Sequence, residues 1–182
     1  MFAYFFLEVA FYRYASIQLP DERQLAEFIA QFFAVTGFLT MLTMVLVFAP
    51  FLRKFGIIAG VILFPLVIFV SSTAVSIMEF SSVEVTLIFA VMVTTNCARF
   101  ILQAAIWKPS VAILFQVLPD RQRTAGTSLM EGVIDPLSGG IAGICLFILI
   151  DTIGWEPKQF LILLSILMAC WLVLSIYIRR LY

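Results

Sequence analysis

Histidine does not occur anywhere in the 182 residues. Its absence excludes Ser/His and Cys/His catalytic couples and the HExxH zinc motif, because each of these needs an imidazole. The sequence also lacks a GxSxG motif and a GxxxxGK[ST] phosphate-binding loop. The chain is therefore not expected to be an enzyme, although a carboxylate acid/base pair made by Glu131 and Asp135 stays formally possible.

Cysteine is scarce and is not arranged in pairs. Cys97, Cys145 and Cys170 each fall inside a different apolar block, and no CxxC motif occurs. This spacing favours neither a disulfide framework nor a zinc site. We expect no metal and no other cofactor.

Charged residues are few as well, at 12% of the chain, whereas soluble globular proteins carry about 25%. Hydrophobic residues make up 63%, and the mean hydropathy is +1.12. This composition predicts an all-α integral membrane protein with membrane lipid as its surroundings.

The apolar residues form six blocks, each near or above the roughly 20 residues that a membrane-spanning helix needs. The predicted helices are 1–17, 23–50, 56–78, 83–106, 122–151 and 158–178. We interpret residues 1–182 as one six-helix transmembrane domain. The first helix is short for a crossing, which predicts a fragment or one half of a larger transporter.

Basic residues collect on one side of the predicted membrane. They follow the second, fourth and sixth helices, as Arg53 and Lys54, as Lys108, Arg121 and Arg123, and as Arg179 and Arg180. The opposite loops are net acidic. By the positive-inside rule, both termini are predicted to be cytoplasmic, in the cell (inner) membrane.

Several predicted helices carry polar side chains. Asn96, Arg99 and Gln103 share one face of the fourth helix, and Glu8 and Arg13 lie in the first. An ionisable group at mid-membrane normally faces a protein interior or a watery cavity. These five residues are predicted to bind substrate, with Arg99 the strongest candidate, although Arg13 could simply reach the interface and Glu8 could form a structural ion pair.

The fifth helix has one polar face. Glu131 and Asp135 lie on it with small residues, including the GxxxG pair Gly139 and Gly143, and Pro136 predicts a kink. Close helix packing would explain the glycines but not the carboxylates. We predict that Glu131 and Asp135 form a cytoplasmic gate, pairing with Arg121, Arg123 or a partner domain.

The alternation of charged helices with a silent third helix, repeated once, resembles one half of a major facilitator superfamily transporter. The stretches "LPDERQLAEFIAQFFAVTGFLTMLTMVLVFAPFLRKFGI" and "NCARFILQAAIWKPSVAILFQVLPDRQRTAGTSLMEG" are similar to the C-terminal half of its ATP:ADP translocase-like branch of nucleotide transporters and uncharacterised bacterial relatives. The resemblance implies a fold of two inverted three-helix repeats. Because "ILQAAIW" is apolar where nucleotide exchangers carry lysine, the substrate stays open.

The resemblance implies a secondary transporter that moves a small solute, which could be an anion, by alternating access. Its expected partners are the solute and either a missing N-terminal six-helix half or a second copy of the chain, and no nucleic acid. The alternative is a six-helix membrane anchor or signalling module, whose buried charges would serve packing with a partner. Solvent access to the polar residues would discriminate between the two.

Overall fold

A computed structural model describes the backbone of residues 2–81, 83–155 and 157–181. Within these ranges the chain is helical and contains no β-strand. The α-helices are α1 (Phe2–Gln18), α2 (Glu22–Leu46), α3 (Phe48–Phe55), α4 (Ile57–Phe80), α5 (Val85–Leu102), α6 (Lys108–Gln116), α7 (Asp120–Leu129), α8 (Asp135–Phe147) and α9 (Pro157–Leu181). Three π-helical turns connect some of them: π1 (Gln103–Trp107), π2 (Met130–Ile134) and π3 (Ile148–Thr152).

Four helical stretches of the described chain are long and apolar enough to cross a membrane. They are Glu22–Leu46, Ile57–Phe80, Val85–Gln116 and Asp120–Ile150. The predicted spans 1–17 and 158–178 correspond to α1, with 17 residues, and to α9, in which Gln159–Ser175 is an apolar stretch. The all-α membrane-type architecture is confirmed, while six crossings remain a prediction.

Helix boundaries differ from the predicted ones at two places. The second predicted helix divides after Leu46, so that α3 is a separate short helix. Gly56 then separates α3 from α4, and its φ of 79° is a conformation that glycine adopts without a steric penalty. The fourth predicted helix does not end at residue 106 but continues through π1 and α6 to Gln116. It continues past Pro109 because the π turn before this proline widens the helix and accommodates its ring.

The helices α4, α9, α1 and α5 form the centre of the bundle. The most extensive contact joins α4 to α9, and α1 packs on α9, α5 and α8. Leu7, Ile68, Met92 and Leu164 supply buried side chains from these four helices to one core cluster. A serine pair, Ser165 Oγ donating to Ser72 Oγ at 3.2 Å, adds a polar contact between α4 and α9.

The helices with the longest uncharged stretches are not the ones that are most exposed on the surface of the bundle. The third and sixth predicted helices, now α4 and α9, have long stretches without a charged residue, yet both contribute to the core. The spans Glu22–Leu46 and Asp120–Ile150 are the least buried of the four candidates. Apolar side chains suit lipid and protein interior alike, so composition could not separate these two environments.

Candidate functional site

Two of the π turns lie directly beside the predicted polar sites. π1 begins four residues after Arg99, and π2 contains Glu131. Each turn is closed by an i+5 hydrogen bond, from the N–H of Lys108 to the carbonyl of Gln103 and from the N–H of Asp135 to the carbonyl of Met130.

A proline follows each of these closing residues, Pro109 in one case and Pro136 in the other. A proline ring clashes with the carbonyl four residues earlier and donates no hydrogen bond, so the helix widens at that point. Such π turns are frequent at functional sites. The second π turn lies where the sequence predicts a kink at Pro136.

Arg99 is the largest fully buried side chain in the described core, with 1% of its surface exposed. Its Nε donates to Asn96 Oδ1 at 2.7 Å. Its guanidinium carbon lies 4.2 Å from the centroid of the Tyr4 ring and 3.9 Å from that of the Phe100 ring. The charge is therefore held between two aromatic faces, one from α1 and one from α5.

The hydrogen-bonding capacity of this guanidinium is only partly used. Nη1 and Nη2 of Arg99 are buried, and neither has a hydrogen-bond partner among the described residues. The indole Nε1 of Trp107, one helix segment further along, is buried without a partner in the same way. All three atoms can only donate hydrogen bonds, so each of them needs an acceptor that the described residues do not provide.

Arg99 and Trp107, the residues that carry these donors, line one small pocket. It has a volume of about 10 Å³ and is lined by Tyr4, Leu7, Phe64, Ile68, Arg99, Gln103, Trp107, Met168 and Trp171. Trp107 packs edge-on to Trp171 with ring centroids 6.1 Å apart, and Phe64 contacts both rings. The pocket thus has an aromatic wall and a cationic wall. We call it the Arg99 pocket.

A second, much larger space lies on the other side of Trp107. It is an open groove of about 1070 Å³ between the end of α2, the segment from π1 to α6, and the segment from α7 to α8. Its polar lining includes Lys108, Gln116, Arg123, Thr127, Glu131 and Asp135. Trp107 contributes to the linings of both the groove and the Arg99 pocket.

The predicted substrate-binding residues divide into two groups. Arg99 and Gln103 line the pocket, and Asn96 orients Arg99. Glu8 lies close enough to act electrostatically on Tyr4 and Arg99 but forms no salt bridge with a described residue. Arg13 is not part of the pocket, because its Nη1 donates to the carbonyl of Trp155 at 3.3 Å.

The predicted gate residues are gathered only in part. Glu131, Asp135 and Arg123 line the groove, whereas Arg121 is exposed and is not part of its lining. Arg123 pairs with Asp120 at 3.0 Å instead of with either predicted carboxylate. Within the described chain, Glu131 and Asp135 form no salt bridge.

Trp107 and Tyr4 are site residues that the sequence did not indicate. Trp107 lies eight residues after Arg99, a spacing that suits one face of a helix only approximately, and aromatic residues are common throughout this chain. Tyr4 reaches Arg99 from another helix, so no sequence spacing could have linked them. A second contact that sequence spacing could not predict joins Tyr14 of α1 to Glu79 of α4, with the tyrosine hydroxyl donating to the carboxylate.

Metal binding finds no support among the described residues, where no group of three or more His, Cys, Asp and Glu side chains could hold an ion. No family model matches the chain, and no curated protein or solved structure matches it either. The candidate function therefore depends on the geometry of the pocket and the groove.

Proposed function

We propose that this chain is a transport domain of the major facilitator type, which binds the anionic group of a small solute at Arg99. In this proposal six helices, arranged as two inverted three-helix repeats, form one half of a secondary transporter in the inner membrane, with both termini cytoplasmic. Nucleotide exchange is one form that this activity could take. No chemical step is proposed.

The buried guanidinium of Arg99 carries the proposal. It lies within the candidate span Val85–Gln116, where an arginine costs at least about 2.5 kcal/mol on insertion scales. Proteins retain such a residue when it pairs with an acidic group or serves a substrate pathway. Since Arg99 has no salt bridge and leaves Nη1 and Nη2 unpaired among the described residues, a substrate anion is the partner that we infer.

The groove supports a role in solute passage. Its lining contains two cationic side chains, Lys108 and Arg123, and two carboxylates, Glu131 and Asp135. We propose that these carboxylates form alternative ion pairs with Arg121, Arg123 or a partner domain as the groove opens and closes. The π turn before Asp135 offers a backbone segment that can change its hydrogen bonding during such a movement.

The proposal includes a partner, because the helices of this chain alone leave the groove open and cannot enclose a path for the solute. The groove is open on one side, and α2 and α8 expose large apolar residues that include Phe38, Val45, Leu137 and Ile144. We propose that an N-terminal six-helix half or a second copy of this chain covers the groove. Membrane lipid would cover the remaining apolar surface.

The test is uptake of radiolabelled succinate, inorganic phosphate and ATP by cells or proteoliposomes that contain the intact protein. Arg99→Ala should abolish uptake while folded protein stays in the membrane. Arg99→Lys should recover only part of it, because an ammonium group lacks the planar pair of donors that grips two oxygens. Arg23→Ala, which removes an exposed ion pair with Glu27, is the matched control.

Folded yield, measured by size-exclusion chromatography in detergent, accompanies each uptake value. Normal uptake by Arg99→Ala would remove Arg99 from the substrate site. Uptake of none of the three probes by the unaltered protein, with its partner half present, would count against an anion transporter.

The second candidate function is a membrane anchor or signalling module in which Arg99 only fastens helices together. The position of its guanidinium between the Tyr4 and Phe100 rings favours this alternative. It predicts that Arg99→Ala lowers folded yield. It also predicts that Gln103→Cys and Asp135→Cys, made after Cys97, Cys145 and Cys170 are replaced by alanine, do not react with water-soluble thiol reagents, whereas a transport path would admit the reagents.

A further inference from the structure

The Arg99 pocket contains a third unused donor besides the two guanidinium nitrogens. Trp107 lines the same pocket, and its Nε1 is buried without a hydrogen-bond partner among the described residues. Buried polar atoms are nearly always hydrogen-bonded, since an unpaired one costs about as much as a lost hydrogen bond. Three unpaired donors around one small space therefore indicate a missing acceptor.

The pocket itself offers little to accept these hydrogen bonds. Apart from Arg99 and Trp107, its polar lining residues are Tyr4 and Gln103, and the rest of the lining is apolar or aromatic. Glu8 acts on Arg99 electrostatically without a direct ion pair. A water molecule could accept hydrogen bonds from the guanidinium, but an anionic oxygen would accept them and also pair directly with its charge.

The volume of the Arg99 pocket limits which chemical group can bind in it. A volume of about 10 Å³ is close to the least that holds one water-sized group. A terminal carboxylate or phosphoryl oxygen matches this scale, but a whole organic anion does not. The rest of the solute must therefore lie elsewhere, and the groove of about 1070 Å³ adjoins the pocket at Trp107.

We propose that Arg99 and Trp107 together form a subsite for a carboxylate or phosphoryl group whose parent solute occupies the groove. The guanidinium supplies charge and two nitrogens, and the indole N–H of Trp107 supplies a third contact at the boundary with the groove. Trp107 is thus a ligand-binding residue and not only part of the aromatic wall. This assignment rests on the proposed function, since it specifies the chemical group that the transport site takes.

Of the three tryptophans, Trp107 and Trp171 both line the Arg99 pocket, so a bound anion should alter their emission. In the intact protein carrying Trp155→Phe, this emission is followed during titration with acetate, inorganic phosphate or chloride at constant ionic strength. Acetate or phosphate should cause a saturable change in emission. The change should disappear in Arg99→Met, which keeps most of the length of the side chain without its donors.

Affinity is measured separately, by equilibrium dialysis of the labelled anion with protein that keeps its other tryptophans. Trp107→Phe retains an aromatic ring but lacks the N–H, so its affinity should fall about tenfold or more, as expected for a lost hydrogen bond to a charged group. Trp155→Phe is the matched control, because Trp155 packs on Phe160 in the second core cluster, away from the pocket. Its affinity should stay within about twofold, a change of less than about 0.5 kcal/mol.

The outcomes separate this inference from the proposed function. Unchanged affinity in Trp107→Phe, together with loss of binding in Arg99→Met, would overturn the role of Trp107 and leave anion transport at Arg99 standing. Chloride binding as tight as that of acetate and phosphate would overturn the assignment to an oxygen-bearing group. Normal uptake by Arg99→Ala would instead defeat the proposed function, and the subsite with it. If Trp107→Phe does not fold, the lack of a saturable emission change with acetate and with phosphate would still overturn the subsite.

Discussion

Replacing Gly60 with alanine tests how closely α4 approaches α6. A Cβ at this position would overlap with Oγ of Ser110, and it would lie 3.2 Å from the Cβ of Ser110 and 3.4 Å from Cγ2 of Ile106. Ser110 is fully buried, so it has no open space into which it could move. Rotating its hydroxyl would relieve the overlap with Oγ but not the tight approach of the two Cβ atoms.

The expected cost of Gly60→Ala is about 1–3 kcal/mol, the usual range for adding a carbon to a packed interior. In a protein of this size, that corresponds to a fall of about 2–12 °C in the unfolding midpoint. The midpoint is measured in detergent by circular dichroism and checked by size-exclusion chromatography of heated samples. Gly37→Ala and Gly140→Ala are matched controls, because a Cβ at either site would meet nothing within 4 Å, and each should change stability by less than about 1 kcal/mol.

A second substitution localises the effect. Ser110→Gly removes both the Oγ and the Cβ that the new methyl group at position 60 would meet. In the double variant it should therefore return most of the lost stability, despite the lower helix propensity of glycine. The coupling between the two sites should be about 1 kcal/mol or more, within the range measured for residues in contact. If Gly60→Ala unfolds at the same temperature as Gly37→Ala, then α4 and α6 are not packed as described.

Two further predictions concern stability. Tyr14→Phe should destabilise the protein by about 1–3 kcal/mol, because it removes the hydrogen bond to Glu79 while Oε2 of that carboxylate is already buried without a partner among the described residues; a midpoint equal to that of the unaltered protein would contradict this. Arg23→Ala should change stability by less than about 1 kcal/mol, since Arg23 and Glu27 form a 3.2 Å pair with side chains 84% and 60% exposed. A large loss measured for Arg23→Ala in the same assay would mean that α2 is covered at this end.

Much of the helix pattern could be predicted from the sequence, because long apolar blocks have few alternatives once the composition indicates a membrane. The predicted helices 56–78 and 122–151 agree closely with Ile57–Phe80 and Asp120–Ile150. Arg99 could also be singled out, since a charge far from both ends of an apolar block is costly and therefore conspicuous. Both inferences use only residues that are close together in the chain.

The surroundings of Arg99 could not be predicted in the same way. Tyr4 and Arg99 are 95 positions apart in the chain, and their contact depends on how α1 packs on α5. Trp107 is the last residue of π1 and lines the pocket, and the extra residue in a π turn shifts the later side chains around the helix axis. A sequence plot with a fixed period of about 3.6 residues misplaces whatever follows such a turn.

The energetics of Arg99 show why its unpaired nitrogens matter more than its burial. On insertion scales the arginine costs about 2.5–3.5 kcal/mol at the centre of a span. The hydrogen bond to Asn96, worth about 1.5–3 kcal/mol with a charged donor, and the contacts with the Tyr4 and Phe100 rings, worth about 0.5–2 kcal/mol each, can offset that cost. The bundle can therefore fold with the charge in place. Nη1 and Nη2 still lack acceptors among the described residues, and the anion proposed to bind there would supply them. Under the proposed function, Asn96 and the two rings thus hold the charge in the folded bundle, and the two unpaired nitrogens interact with the solute.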